Sequence, residues 1–96
     1  MQERSVTISN RLGLHARAAA RLVRRATQFN SSVELVREDT GQVADGKSIL
    51  AVLLLAASRS TRLTIRTNGP DEERAADMLV ELVADKFGEE VSDGLF

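Results

Sequence analysis

Hydrophobic and polar positions along this chain alternate with a period of two in some stretches and of three to four in others. The switches between the two rhythms mark the elements. Val6 and Ile8 alternate with polar neighbours from about Arg4 to Ser9, which predicts a short, half-buried strand. From Ala16 to about Gln28, Ala19, Leu22, Val23 and Ala26 recur at helical spacing, with Phe29 just beyond. Arg17, Arg21, Arg24 and Arg25 fall toward the other side, so the helix is amphipathic with a basic face. Asn30-Ser31-Ser32 ends it. Val33, Leu35 and Arg37 begin a second strand, Asp39-Thr40-Gly41 reads as a hairpin turn, and a third strand from about Gln42 to Ala44 stops at Asp45-Gly46.

Ile49 to Ala57 is rich in leucine and alanine, both good helix formers, which predicts a short helix capped near Ser48. Leu63 and Ile65 alternate with charges over Arg62 to Thr67, a fourth strand. Asn68-Gly69-Pro70-Asp71-Glu72-Glu73 is a helix start signal, with Pro70 suited to the first helical position and acidic residues complementing the dipole. Ala75, Ala76, Leu79, Leu82, Val83 and Phe87 form the apolar stripe of that helix. The order is β-α-β-β-α-β-α, an α+β arrangement. Strands with one apolar face and helices with one apolar stripe pack most economically as a four-stranded antiparallel sheet with three helices on one face. Residues 1–88 are expected to form one domain, with Glu89 to Phe96 a loose tail.

Composition narrows the chemistry. Ninety-six residues, 43% of them hydrophobic, make one folded domain. With no cysteine, tryptophan or tyrosine and only three phenylalanines, the core must be aliphatic and thiolate chemistry is excluded. The longest apolar stretch, Ile49 to Ala57, falls far short of the roughly 20 residues needed to span a bilayer. Met1 to Arg11 is too polar for the apolar core of a signal peptide. A cytoplasmic protein without a membrane partner is expected. Net charge is −1, yet residues 1–30 carry six arginines against Glu3, while residues 61–96 carry four basic and nine acidic side chains. A polarised surface follows, basic around the single histidine.

That histidine, His15, is the best clue to function. Asn10-Arg11-Leu12-Gly13-Leu14-His15-Ala16-Arg17 runs from a glycine-marked loop into the first helix, so His15 falls at its first turn. Backbone N–H groups there lack intrahelical partners and the dipole presents its positive end. An anion carried on the ring would be stabilised by those amides and by Arg17. No second histidine and no cysteine completes a nitrogen/sulfur metal set, and no spacing picks out a serine-histidine-carboxylate triad. Nucleic-acid binding through the arginine face is disfavoured by the lack of tyrosine and tryptophan and by the net negative charge. The run Ile49 to Leu55 is apolar nearly all round, so a short helix there leaves some leucines exposed, as interaction patches do.

Gly13-Leu14-His15-Ala16-Arg17 resembles the active-site motif of the HPr phosphocarrier family of the bacterial phosphoenolpyruvate-dependent phosphotransferase system. Val6-Thr7-Ile8, Gly46-Lys47-Ser48-Ile49-Leu50 and Gly69-Pro70-Asp71-Glu72 match further family blocks in order along nearly the whole chain. The resemblance implies an open-faced β-sandwich and a carrier within a relay rather than a stand-alone enzyme. It implies that His15 accepts a phosphoryl group from enzyme I and donates it to an enzyme IIA partner, with Arg17 stabilising charge. Phosphoenolpyruvate and Mg²⁺ would serve enzyme I, and the chain itself would need no metal or cofactor and act as a monomer. Ser48 matches a serine that a dedicated kinase phosphorylates in some members, although helix capping alone explains it. Ala16, Ala20, Ile49, Leu50 and Leu53 match apolar positions where partners dock. Ala18 stands where the family usually has proline. The region around Asp39 to Gln42, with Asn10 to Gly13, looks closer to the nitrogen-related branch called NPr, so sugar uptake and nitrogen or metabolic regulation both stay open. The alternative is a regulatory adaptor that works by binding alone through the Ile49 to Leu55 patch.

Overall fold

Alternation along each strand decides which side meets the core. In the computed structural model, which describes residues 1–89, β1 (Gln2–Thr7), β2 (Ser32–Arg37), β3 (Val43–Asp45) and β4 (Arg62–Asn68) form one antiparallel sheet in the order β1-β4-β2-β3. Register sets Val6 opposite Leu63 and Leu35 opposite Ile65, all four buried on one face. The opposite face is charged: Arg66 lies 3.0 Å from Glu3 and 3.4 Å from Glu34, and Glu38 accepts hydroxyls from Ser5 and Thr64. Exposed ion pairs of this kind contribute at most about 1 kcal/mol each, so they keep this face wet rather than hold the sheet.

Three helices cover the apolar face: α1 (Ala16–Ala26), α2 (Ile49–Leu54) and α3 (Glu72–Ala84). The fold class is therefore the open-faced α+β sandwich that the pattern predicts. Ala18, Ala19 and Ala26 on α1, with Ala75 and Ala76 on α3, are fully buried. Their small side chains let both helices lie close against neighbouring elements. Among the described residues, no helix is long and apolar enough to cross a membrane.

The boundaries differ from the pattern where hydrogen bonding outweighs side-chain periodicity. Strand β1 begins at Gln2 rather than Arg4, because Gln2 and Glu3 pair with Thr67 and Arg66 of β4. Helix α2 stops at Leu54 rather than Ala57: Ala56 turns left-handed at φ 51°, and the Ala57 carbonyl accepts from the Leu14 amide instead. Pro70 precedes the helix rather than opening it, since Asp71 is the N-cap and Glu72 the first helical residue. Phe87 is in the core as expected but not on α3, which ends at Ala84. It enters from a 3₁₀ turn, Lys86–Gly88, in which Lys86 and Phe87 both have positive φ.

Although Asp71 is the N-cap residue, its side chain makes no capping hydrogen bond to α3. Its carboxylate accepts from the backbone amides of Asn30 and Ser31, at 3.0 and 2.9 Å, and from the Ser31 hydroxyl at 2.6 Å. These donors, Ser31 foremost, hold the Asp71 carboxyl down at about 2. Gly69, at φ +150°, permits the approach: a Cβ there would sit 2.6 Å from Ser31 Cα. The turn between α1 and β2 is thereby tied to the start of α3.

Candidate functional site

The loop before α1 is fixed on both sides before His15 is reached. Ile8 exchanges backbone hydrogen bonds with Ser60 and Thr61, and Leu14 donates to the Ala57 carbonyl at 2.9 Å. Gly13 makes this docking feasible. It has φ +67°, and a Cβ would lie 2.6 Å from the Ala57 oxygen and 2.8 Å from Ser58 Cα. Leu14 is then buried, and the chain leaves the loop extended at His15 (φ −77°, ψ −178°) before winding into α1.

His15 is the N-cap of that helix. The first intrahelical bond runs from Ala19 N–H to the His15 carbonyl, so the amides of Ala16, Arg17 and Ala18 precede the helix's own acceptors. The Arg17 amide points at His15 Nδ1, 3.4 Å away, a long and weak contact. The imidazole is 28% exposed. Arg17 projects to the surface, and its guanidinium has no partner among the described residues. The structure therefore brings the backbone of Arg17 to the ring and leaves its side chain in solvent.

The other ring nitrogen is occupied in a way the sequence does not announce. His15 Nε2 is in hydrogen-bond contact with Glu89 Oε2, and the Glu89 side chain is only 10% exposed. The second oxygen of that carboxylate accepts from Asn10 Nδ2 at 2.7 Å, and the same amide nitrogen donates to the Gly13 carbonyl at 2.8 Å. Asn10 is fully buried. Glu89, expected to begin a loose tail, is instead tied to the site, and residues 90–96 of that tail lie outside the described residues. The chain reaches this point because Phe87 anchors in the core, Arg21 donates to the Phe87 carbonyl, and Gly88 at φ 74° turns the backbone. The charge gradient along the sequence thus does not make the surroundings of His15 uniformly basic. A carboxylate from the acidic third sits on the ring.

Asn10 and Glu89 were missed by sequence reasoning. For Asn10 a signal existed, since asparagine in a turn commonly hydrogen-bonds nearby backbone. For Glu89 there was none.

The residues expected to dock partners differ in exposure. Ile49 and Leu50 are 45% and 65% exposed, Leu54 and Leu12 are similarly open, while Val52 and Leu55 are fully buried. Leu53 is half-buried and packs on the core, Ala16 is exposed and Ala20 half-buried. Ser48 is the N-cap of α2, its hydroxyl oxygen accepting from the Ala51 amide at 3.3 Å. Among the described residues no three histidine, aspartate or glutamate side chains converge as a metal site would require.

Comparison with known proteins agrees with this geometry. Residues 2–85 match the family model described as the PTS HPr component phosphorylation site. The chain is 47% identical over 89 residues to phosphocarrier protein HPr of Cupriavidus necator, covering 93% of this chain and 98% of that one. It is 46% identical to the HPr of Pseudomonas aeruginosa, over 88% of this chain and 92% of that protein. A crystal structure of HPr-C-His from Thermoanaerobacter tengcongensis superposes with a TM-score of 0.88 at 36% identity, covering 93% of this chain and 98% of that one. A helix-capping histidine on an open-faced sandwich, reached along nearly the full length of these relatives, places the chain in the HPr family of phosphocarrier proteins of the phosphotransferase system.

Proposed function

We propose that His15 is the residue that takes and passes the phosphoryl group, and that Nδ1 is its reacting atom. The observation that carries this reading is the orientation of the ring: Nδ1 faces the open first turn of α1, whereas Nε2 faces a carboxylate that would repel an incoming phosphoryl group. Attack by the Nδ1 lone pair places charge on the equatorial phosphoryl oxygens, where first-turn amides and the unpaired Arg17 guanidinium meet it. Enzyme I would be the donor and an enzyme IIA protein the acceptor, both docking on the exposed side chains of Ala16, Ile49 and Leu50, with the half-buried Leu53 and Ala20 at the rim. The chain would do this as a cytoplasmic monomer without a cofactor of its own.

Incubation with enzyme I, phosphoenolpyruvate and Mg²⁺ should add one acid-labile phosphate per chain, and His15→Ala should add none. Label retained by His15→Ala would refute the assignment. The exposed Leu50 and Leu54 also suit an adaptor that works by binding alone. Partner binding unchanged in His15→Ala and lost in Leu50→Glu, with no phosphate taken up by the wild type, would favour that reading. Ser48 adds a candidate regulatory site: phosphate on its hydroxyl would set about two negative charges beside the docking leucines, so a serine kinase could weaken docking to an acidic partner.

A further inference from the structure

We propose that Glu89 is a positioning residue for the transfer. It holds the proton of His15 on Nε2 in both the free and the phosphorylated state. The inference rests on the carrier reading above and deepens it.

The contact is built rather than incidental. One oxygen of Glu89 faces His15 Nε2, the other is held by the fully buried Asn10, and the carboxylate is nearly excluded from water. Phe87 in the core and the Arg21 bond to its carbonyl fix the backbone just before it. A carboxylate can only accept, so the ring nitrogen facing it must donate. The proton is thus kept on Nε2, and the lone pair is left on Nδ1, toward the helix start. The second nitrogen of a histidine sets the tautomer of the first in the same way wherever a carboxylate orients an imidazole.

The transfer then balances without a further base. The Nδ1 lone pair forms the N–P bond as the bond from phosphorus to the donor's phosphohistidine nitrogen breaks, its electron pair leaving with the donor ring. The His15 ring, still protonated on Nε2, now carries positive charge, which the Glu89 carboxylate offsets. On donation the N–P electron pair returns to Nδ1, and His15 leaves as a neutral imidazole with its proton still on Nε2. A ring that had lost that proton would have to leave as an anion, a far poorer leaving group. Glu89 therefore serves the donation step above all.

Two readouts test this, with Glu89→Ala and Glu89→Gln each checked for an unchanged thermal melt. In ¹⁵N-histidine-labelled protein near neutral pH, the His15 Nε2–H should give a downfield, slowly exchanging resonance that Glu89→Ala abolishes. Glu89→Gln, which keeps a carbonyl acceptor, should retain it in part. After loading by enzyme I, Glu89→Ala should donate to an acceptor IIA protein on the order of tenfold more slowly than wild type and lose its phosphate to water more slowly. Glu89→Gln should fall between them. An Nε2–H signal and a donation rate unaltered in Glu89→Ala would overturn the proposal. Failure of the wild type to load at all would sink the carrier reading, while the ring spectrum of the free protein would still judge Glu89.

Discussion

The Leu14 amide donates to the Ala57 carbonyl at 2.9 Å, joining the loop that presents His15 to the chain leaving α2. The contact is close enough that Gly13 has no room for a side chain, and its φ of +67° disfavours one in any case. Gly13→Ala should therefore destabilise the domain by about 2 kcal/mol or more, combining left-handed strain with a clash against backbone. A urea titration measures the loss. Phosphate uptake by the folded fraction should fall as well, since the same shift moves His15.

Substitutions at Leu50 and Leu55 should separate docking from folding. Leu50 is 65% exposed and Leu55 fully buried within one short helix and its cap. Leu50→Ala should change stability by no more than about 0.5 kcal/mol while weakening partner affinity, whereas Leu55→Ala should cost about 2–5 kcal/mol. Denaturation midpoints and a titration against enzyme I distinguish the two.

Ser48→Ala removes the oxygen that accepts from Ala51, and should cost about 1 kcal/mol. Ser48→Asp keeps an acceptor at the cap and adds a favourable charge at the helix start, so it should be at least as stable as Ser48→Ala. Thermal melts of the two variants read this directly.

Asp71 gives the chain part of its acid sensitivity. Its carboxyl is held down at about 2 by Ser31 and by the amides of Asn30 and Ser31. A depressed carboxyl stabilises the fold above its ordinary range, and that contribution is lost as pH falls through about 4 toward 2. Asp71→Asn should be less stable than wild type at pH 7 and should flatten the loss of stability between pH 4 and 2. Urea midpoints measured across that range test it. A difference between the two proteins that did not shrink on acidification would contradict the assignment.

The residues of the site were legible to different degrees. His15 at a helix start, beside Arg17, could be read because a loop glycine and an alanine-rich periodic stretch are local signals. Ser48 as a cap, and the exposure of part of the Ile49 to Leu55 run, followed from the same kind of reasoning. Asp71 could be read as an acidic residue at a helix start, but not its binding of the Asn30 and Ser31 amides some forty residues earlier in the chain. Pro70 was expected at the first helical position, which Glu72, two residues on, occupies.

The sequence by itself determined the order of strands and helices, the face each turns inward and the position of His15 at the mouth of α1. Those follow from burial repeating over a few residues, which any stretch of ten or so displays. Only the tertiary structure decided that Glu89, 74 positions away, would close on His15, and that Asn10, 79 positions from Glu89, would hold it there. Such pairings are set by where α3 ends and how Phe87 and Arg21 steer the chain back, and no local pattern encodes a distance of that kind.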